Sequence, residues 1–375
     1  MIDYLIVITS IYSILILLLV YGFHKVAVFK SQHKSSKITF SILIPFRNEA
    51  DNLPTLLKSL SELEYPKDQF ECILIDDDSE DDSVKVIHHH LENANINYRI
   101  IDNHRKSISP KKDAIATAIQ TAQFDWIITT DADCVLPKNW LKEFGWFATV
   151  QDSKMIVGPV TYQGDKSFLS SFQLLDFLSL QGATVGGFGI ASPFLCNGAN
   201  LAYKKETFLE VNGFQGNDTV ASGDDIFLFE KFYKHFPNGV HFLKSKSATV
   251  TTFPLKSWEQ LINQRMRWAA KSSSYTLIFG KFVGLLVLFM NFSVIISWLG
   301  IPWHQDKALV FISIIIIKIA IDFFLIKNIA SFYIGDEKKI KGYVLSSVLY
   351  PFFSVFIFFK TLFSKYTWKG RMFKK

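Results

Sequence analysis

The 375-residue sequence contains little cysteine and neither of the common phosphate-binding loops. Its three cysteines, Cys72, Cys134 and Cys196, form no CxxC pair and are odd in number, so a reducing compartment with free thiols is the simplest account. Neither a GxxxxGK[ST] loop nor a GxGxxG loop after a strand is present. Any diphosphate that the protein binds must therefore be held in another way.

The apolar segment near the N-terminus lacks the basic start and the short core of a cleaved signal peptide. Residues 4–23, YLIVITSIYSILILLLVYGF, carry no charge, and about 20 such residues can cross roughly 30 Å of hydrocarbon as a helix. We therefore expect a retained membrane anchor over residues 1–24.

Apolar segments also dominate residues 281–364, in a chain that is 49% hydrophobic. Residues 282–301 and 308–326 are predicted to span the membrane, whereas residues 343–359 contain a proline and are predicted to form a kinked span or a re-entrant segment. Lys318 lies four residues before Asp322 inside the second segment. Charge is costly there, so we expect a neutralising pair within one helix, with a polar path as the alternative.

The lysines that follow the first apolar segment indicate the side of the membrane. They are Lys25, Lys30, Lys34 and Lys37. Basic residues favour the cytoplasmic side, so the polar stretch over residues 38–275 is expected in the cytoplasm of a protein integral to the plasma or inner membrane. Residues 365–375 form a basic tail. If four segments crossed the membrane fully, this tail would lie outside the cytoplasm, against the preference of basic residues for the cytoplasmic side. The net charge of +6 suits anionic membrane lipids better than nucleic acid.

Strand-like and helix-like segments alternate within residues 38–275. The strand-like runs cover residues 38–45, 70–76, 98–102 and 126–130. Such alternation predicts an α/β fold with a mostly parallel sheet covered by helices on both faces. Ligands of these sheets bind beyond the carboxyl ends of the strands, where this chain carries the clusters PFRNE, DDDSEDD and DAD.

Acidic residues end two of these strands. Asp131 and Asp133 form a D-x-D after the run WIITT, and alternate residues of an extended segment can share one divalent cation. Such a cation would offset the repulsion between the acids and could neutralise a diphosphate, whereas the alternative is a structural turn. Asp76 and Asp77 are predicted ligands at the earlier strand end, while residues 78–83 are more simply an acidic turn and helix cap.

Two further groups come later in the chain. Asp224 and Asp225 precede a helical run, where they either cap the helix or supply a general base for an acceptor hydroxyl. Gln264, Arg267 and Trp268 have the i, i+3 and i+4 spacing of one helix face. They could bind a sugar or a diphosphate, or they could anchor the chain at a membrane surface.

In their order, these motifs resemble the membrane-bound family 2 glycosyltransferases, which include ceramide glucosyltransferase, hyaluronan synthase and cellulose synthase. The shared elements are a first Asp, a D-x-D, a third Asp and Q-x-x-R-W, here Asp76/Asp77, Asp131-Ala-Asp133, Asp225 and Gln264-Arg-Met-Arg267-Trp268. The resemblance covers residues 38–275 and implies a GT-A fold with a Rossmann-like, mostly parallel sheet. It implies an inverting, metal-dependent transfer from a nucleotide-diphosphate sugar, expected to be a UDP-sugar, to a membrane-resident lipid or glycan.

The resemblance also implies roles for individual residues. The nucleotide would be held by Arg47, Glu49, Asp76 and Asp77, assisted by Lys111 or Lys112. Asp131 would lie near the ribose and the metal, and Asp133 would coordinate Mg²⁺ or Mn²⁺.

Asp225 is the implied base, although SGDD replaces the family's more usual T-E-D and makes Asp224 its rival. The acceptor and the diphosphate would contact a further set of residues: Cys196, Asn200, Asp224, Gln264, Arg267 and Trp268. A processive polysaccharide synthase and a non-catalytic scaffold that binds nucleotide sugars are the alternative functions.

Overall fold

Short runs rich in β-branched and aromatic residues form the strands, and most strands of the central sheet are largely buried. A computed structural model describes residues 2–31, 36–217, 220, 222–335, 340, 342–369 and 371–373. Lys34 of the predicted basic cluster and residues 370, 374 and 375 of the predicted tail lie outside these ranges. The strands are β1 (Phe40–Phe46), β2 (Phe70–Asp76), β3 (Tyr98–Asp102), β4 (Trp126–Thr129), β5 (Cys134–Val135), β6 (Met155–Val157), β7 (Val160–Tyr162), β8 (Leu201–Lys204), β9 (Val240–Phe242), β10 (Val250–Thr252), β11 (Tyr366–Trp368) and β12 (Arg371–Phe373).

The helices alternate with the strands in the first half of the chain and follow them in the second. They are α1 (Ile2–Lys25), α2 (Leu53–Ser61), α3 (Ser83–Leu91), α4 (Pro110–Thr121), α5 (Trp140–Val150), α6 (Phe168–Gly189), α7 (Lys205–Glu210), α8 (Asp224–His235), α9 (Trp258–Ser272), α10 (Ile278–Gly300), α11 (Ala308–Tyr333) and α12 (Tyr343–Phe363).

Two compact units divide the chain. The sheet unit comprises Ala27–Gln163 and Cys196–Phe253, and the helical unit comprises Met1–Val26, Gly164–Leu195 and Pro254–Lys375. Helices α6 and α9 belong to the helical unit although they fall within residues 38–275. The boundaries predicted for a functional domain at 38 and 275 stay a prediction.

The sheet unit is built on a seven-stranded sheet with the order β3-β2-β1-β4-β8-β6-β9. Strands β3, β2, β1 and β4 are parallel to one another, and β9 is parallel to β6, whereas β8 runs antiparallel to both β4 and β6. A smaller sheet pairs β5, β10 and β7. Strand β1 is almost wholly buried, as its continuous apolar sequence FSILIPF predicts for a strand covered on both faces. The predicted α/β fold with a mostly parallel sheet is confirmed.

Among its described residues, the helical unit has four helices that are long and apolar enough to cross a membrane, namely α1, α10, α11 and α12. The segment that contains Pro351 forms one continuous helix, α12, which is long and apolar enough to cross a membrane, so the proline does not divide it. The neutralising pair predicted inside α11 is confirmed, because Lys318 Nζ lies 2.7 Å from Asp322 Oδ2. Asp322 also accepts a hydrogen bond from the Tyr12 hydroxyl of α1 at 2.6 Å.

Helices α1 and α6 approach each other at backbone distance. A Cβ atom on Gly186 would lie 2.4 Å from the carbonyl oxygen of Leu19, and one on Gly189 would lie 1.8 Å from that of Gly22. Small residues permit this packing, which is common between helices in membranes. The glycines at the end of α6 therefore serve packing against α1 rather than chain reversal.

Candidate active site

The parallel strands bring several polar residues to one edge of the sheet. Phe46 of β1 pairs with Asp76 of β2, so both strands end at the same level. Strand β8 runs antiparallel to β4, and Thr129 at the end of β4 pairs with Leu201 at the start of β8. The Thr129 hydroxyl donates a hydrogen bond to the carbonyl oxygen of Gly198 at 2.7 Å. The segment before β8 therefore lies beside the residues that follow β4.

Lys111 is the centre of the charge cluster at this edge. It occupies the first turn of α4, which begins at Pro110, a residue well suited to the start of a helix. Its Nζ lies 2.6 Å from Asp131 Oδ1 and 3.1 Å from Asp224 Oδ2. Burial lowers the pKa of Lys111, but the carboxylates of Asp131 and Asp224 raise it further, so the net pKa lies above the ordinary lysine value. The ammonium therefore stays charged at neutral pH and joins α4, β4 and α8.

Asp225 lies beside Asp224 in the first turn of α8. Gly223 precedes it with φ of 84°, a conformation that favours glycine. Asp225 Oδ2 accepts from the backbone N–H of Gly198 at 3.2 Å, and Oδ1 accepts from that of Ile226 at 2.7 Å. A Cβ atom on Gly198 would approach Asp224 Oδ2 to 3.2 Å, so glycine at this position leaves room for the acidic residues of α8. Cys196 and Asn200 on either side of this glycine were predicted site residues, whereas Gly198 itself was not.

Asp131 and Asp133 remain the candidate metal ligands. The Asp131 side chain is 37% exposed, so a ligand can reach it. Burial, followed by the Asp133 and Asp131 carboxylates, raises the pKa of the Cys134 thiol well above its usual range. Among the residues that the structure describes, no group of three or more His, Cys, Asp or Glu side chains could hold a metal. Two carboxylates nevertheless fit Mg²⁺ or Mn²⁺, because such ions are commonly shared between one or two carboxylates and substrate phosphates.

Arg47 fastens the loop that follows β2. Its Nη1 donates to the carbonyl oxygen of Asp77 at 2.7 Å and to that of Asp78, and its Nη2 lies 2.8 Å from Glu80 Oε1. Asp78 adopts φ of 66°, an uncommon value for a residue other than glycine. The guanidinium thus fixes the shape of the loop beside the predicted nucleotide site.

Asp77 has two partners that sequence reasoning missed. Arg105 Nε and Asn103 Nδ2 each donate to Asp77 Oδ1 at 2.7 Å. Both residues follow β3, at the same sheet edge as the predicted clusters. The rule that ligands bind beyond parallel strand ends would have identified them had it been applied to β3 as well.

Asp76 and Glu49 have neighbours within the same loops. Asp76 Oδ1 accepts from the backbone N–H of Ser79 at 2.9 Å. The backbone N–H of Glu49 donates to Ser83 Oγ at 2.8 Å, and Glu49 Oε2 accepts from Asn52 Nδ2 at 2.6 Å. Both acids therefore help to order the turns that follow β1 and β2, and nucleotide contact stays a prediction for them.

The two candidate lysines lie in different surroundings. Whereas Lys111 binds the acidic residues, the side chain of Lys112 is buried and donates to the carbonyl oxygens of Asn217 at 2.5 Å and Val220 at 2.8 Å. Its Nζ also lies 4.9 Å from the centroid of the Phe227 ring. Lys112 thus anchors the segment before α8, and Lys111 is the better placed of the two for a diphosphate.

Cys196 and Asn200 flank Gly198 in the predicted acceptor segment. Cys196 is partly exposed and is not in a disulfide. Asn200 is fully buried: its Oδ1 accepts from Trp140 Nε1 at 2.9 Å, and its Nδ2 donates to the carbonyl oxygens of Pro159 at 2.7 Å and Ala248 at 2.9 Å. These contacts make Asn200 a support for the segment, and its contact with an acceptor stays a prediction.

Gln264, Arg267 and Trp268 lie on α9 of the helical unit, as their spacing predicts. We refer to these three residues as the α9 turn. Arg265, which the motif pattern leaves open, is buried among them, with its guanidinium carbon 4.1 Å from the centroid of the Trp268 ring. Its Nη1 also donates to Gln264 Oε1.

Comparison with known proteins bears on this arrangement. The chain is 22% identical over 258 residues to a poly-beta-1,6-N-acetyl-D-glucosamine synthase from Staphylococcus epidermidis, covering 66% of this chain and 57% of the relative. It is 35% identical over 127 residues to an undecaprenyl-phosphate 4-deoxy-4-formamido-L-arabinose transferase from Proteus mirabilis, covering 32% of this chain and 35% of that protein. The chain thus spans between about a third and just over half of the length of these curated relatives.

A solved structure and two family models complete the comparison. A mannosyltransferase from Pyrobaculum calidifontis, in complex with GDP-Man and Mn²⁺, matches with a TM-score of 0.57 and 16% identity over 97% of this chain and 99% of its own, which shows a common fold. The model for glycosyl transferase family 2 matches residues 41–197. The model for glycosyl transferase family group 2 matches residues 126–335, more than half of the chain. The chain therefore belongs to the family 2 glycosyltransferases and has their GT-A-like fold.

Proposed function

We propose that this glycosyltransferase moves a sugar from a nucleotide-diphosphate sugar to a hydroxyl of a membrane-resident acceptor, with inversion at the anomeric carbon. The observation that carries the proposal is the position of Lys111, which lies within hydrogen-bond distance of Asp131 and Asp224 at the carboxyl edge of the sheet. An ammonium at this edge can bind a diphosphate, for which the chain offers no glycine-rich loop.

Asp225 is the proposed general base. Asp224 Oδ2 lies 3.1 Å from the ammonium of Lys111, so this carboxylate is already engaged in an ion pair. Each oxygen of Asp225 accepts a backbone N–H, from Gly198 or from Ile226, and a carboxylate oxygen has a second lone pair for another proton.

The proposed reaction is a single displacement. The acceptor oxygen bonds to the anomeric carbon while its proton passes to Asp225. The bond between the anomeric carbon and the β-phosphate oxygen breaks, and its electron pair leaves with the nucleoside diphosphate. Lys111 would bind the departing phosphate, and a divalent cation held by Asp131 and Asp133 would supply further positive charge there.

The ends of β1, β2 and β3 are the proposed nucleotide half of the site. Arg47 and Arg105 both contact the loop that begins at Asp77. Asn103 and Arg105 donate hydrogen bonds to the Asp77 carboxylate. These contacts support a preformed surface for a nucleoside, because the polar groups are already ordered by one another. UDP-sugars are the first donors to test, alongside GDP-mannose, the ligand named for the Pyrobaculum structure.

The proposed acceptor is a lipid or a lipid-linked glycan. The described part of the chain has four apolar helices that could cross a membrane, and the name of the Proteus relative includes undecaprenyl phosphate, a lipid phosphate. The name of the Staphylococcus relative favours a second candidate, a processive polysaccharide synthase. Product length separates the two, since one predicts a single sugar on a lipid and the other a ladder of polymer.

The proposed orientation has the sheet unit in the cytoplasm, on the basis of the lysines after α1. Val150 and Leu209 of the sheet unit are 48% and 57% exposed, and Trp303 between α10 and α11 is 84% exposed. In a Cys196→Ser background, an impermeant maleimide added to intact cells should label Trp303→Cys but neither Val150→Cys nor Leu209→Cys. Labelling of the latter two from outside would overturn this orientation.

The function is tested by incubating membranes that contain the full chain with a panel of labelled nucleotide sugars. The account predicts that one donor transfers its label to a lipid-extractable product, and that membranes with Asp225→Asn do so far more slowly. A long polymer would favour the second candidate. Neither product nor donor hydrolysis above the Asp225→Asn control would contradict both enzymatic proposals and favour the non-catalytic scaffold.

A further inference from the structure

Arg265 has a buried ionic partner that the sequence pattern does not reveal. Its Nε and Nη2 lie 2.7 and 2.6 Å from Asp176 Oδ2. The two side chains are only 8% and 5% exposed. Asp176 belongs to α6 and Arg265 to α9, so this pair joins two helices of the helical unit out of contact with bulk solvent.

The same guanidinium contacts two of the three residues of the α9 turn. Its carbon lies 4.1 Å from the centroid of the Trp268 ring, within the range of a cation–π contact, and its Nη1 donates to Gln264 Oε1. The planar guanidinium can meet a carboxylate at its edge while its face meets an aromatic ring. A lysine ammonium has no such fork, so the arrangement is specific to arginine.

Asp176 is itself held by a chain of polar contacts through the helical unit. The Tyr350 side chain of α12 lies beside Asp176. Lys318 Nζ lies 5.4 Å from the centroid of the Tyr350 ring and 2.7 Å from Asp322, which accepts from Tyr12. The partner of Arg265 on α6 is therefore connected through these neighbouring side chains to α12, α11 and α1.

Stability alone does not explain a pair of this kind. Replacing a buried ion pair with apolar residues of similar volume is often neutral or stabilising, because the charges must first be removed from water. A buried pair does, however, define one geometry where apolar packing permits several. Here, the geometry that it defines is that of Gln264 and Trp268.

We propose that Arg265, held by Asp176, is a positioning residue that orients the Gln264 amide and the Trp268 indole so that the α9 turn can bind the acceptor. This inference rests on the proposed function of the α9 turn. Arg265 touches neither substrate nor reacting atoms in this account, and it acts through its two neighbours.

The test uses variants that separate positioning from folding. Arg265→Met alone leaves Asp176 buried without its partner and could unfold the protein. The double variant Asp176→Leu/Arg265→Met removes both charges and is expected to fold, since apolar replacement of a buried pair is tolerated. Arg265→Lys keeps the charge but loses the fork, so it should fall between the wild type and the double variant.

The structural readout is ¹⁹F NMR of the full chain labelled with 5-fluorotryptophan in detergent micelles. The resonances of Trp268 and Trp258 are assigned with Trp268→Phe and Trp258→Phe. Trp258 lies on the same helix and packs on Phe172 with ring centroids 5.3 Å apart, so it serves as the control. In the double variant, the Trp268 resonance should shift or broaden while that of Trp258 stays unchanged. An unchanged Trp268 resonance would overturn the proposal.

The kinetic readout compares kcat/KM for the acceptor with KM for the donor. The double variant should lower kcat/KM for the acceptor by about 10-fold or more, because misplaced binding groups lose much of their effect, and should change the donor KM little. Wild-type acceptor kinetics in the double variant would show that the pair is merely structural. If the wild-type protein transfers no sugar, the proposed function fails, and the NMR comparison still decides whether Arg265 positions Trp268.

Discussion

Lys111 of the sheet unit and Arg265 of the helical unit each bind an aspartate at 2.6 Å, yet their surroundings differ. The Lys111 and Asp131 side chains are 18% and 37% exposed, whereas those of Arg265 and Asp176 are 8% and 5% exposed. An ammonium is a point charge that can change partners, while a guanidinium that binds through two nitrogens is held in one orientation. The first contact is thus open to exchange with a substrate, and the second is fixed.

The net charge also differs between the group around Lys111 at the sheet edge and the Arg265–Asp176 pair of the helical unit. Asp131, Asp224 and Asp225 all act on the ammonium of Lys111, so carboxylates outnumber cations among these four groups. Arg265 and Asp176 form a neutral pair instead. The excess of negative charge around Lys111 attracts a divalent cation, whereas the Arg265–Asp176 pair carries no net charge that a cation would offset.

The largest expected effect concerns metal removal and acts on the sheet edge alone. EDTA should abolish donor turnover, because the excess negative charge would then repel the diphosphate, and Mn²⁺ or Mg²⁺ should restore it. The measurement is release of nucleoside diphosphate in the presence of acceptor. Undiminished turnover in chelator would contradict the proposed metal site at Asp131 and Asp133, and with it the functional difference between the sheet edge and the Arg265–Asp176 pair.

The second expected effect concerns stability and is larger for the Arg265–Asp176 pair than for the sheet edge. Asp176→Asn leaves the Arg265 charge buried without a carboxylate and should destabilise the protein by about 3–5 kcal/mol. Asp131→Asn should cost no more than about 1 kcal/mol, since that carboxylate is well exposed. Thermal unfolding midpoints of both variants in one detergent provide the comparison. Equal shifts would show that the difference in exposure has no energetic consequence.

The smallest expected effect sharpens the assignment of Lys111. A charge-assisted hydrogen bond is worth about 1.5–3 kcal/mol, so Lys111→Met should weaken binding of the nucleoside diphosphate by about 10-fold or more. The control is Lys112→Met, whose lost contacts are to backbone carbonyls of the segment before α8. Calorimetric titration of folded variants should show near wild-type affinity for Lys112→Met. The reverse order of affinities would exchange the roles of the two lysines.

Continuous apolar runs made the first part of the fold predictable. The runs at 38–45 and 70–76 correspond closely to β1 (Phe40–Phe46) and β2 (Phe70–Asp76). Strands β6 and β8 were not predicted, because runs as short as MIV and LAYK form strands only through pairing with distant partners. Helix α6 was missed for a related reason: its terminal glycines are poor helix formers, and their use in packing against α1 is a tertiary property.

The candidate site was predictable where it follows strand ends and not where it depends on long-range pairing. Asp131 and Asp77 lie at the expected sheet edge, and the spacing of the α9 turn predicted its helix. Arg265 could not be paired with Asp176 from spacing, because 89 residues separate them and the motif pattern leaves the arginine position open.

The central claim is that Asp225, at the sheet edge, accepts the proton of the acceptor hydroxyl. The most direct test measures both sugar transfer and nucleoside diphosphate binding for Asp225→Asn and Asp224→Asn. Asp225→Asn should lose transfer by about 10²-fold or more, since an amide cannot accept the proton, and should bind the nucleotide with nearly unchanged affinity. If Asp224→Asn abolishes transfer while Asp225→Asn retains it, the base is the neighbouring residue, and full activity of both variants would contradict the assignment of the base to this segment.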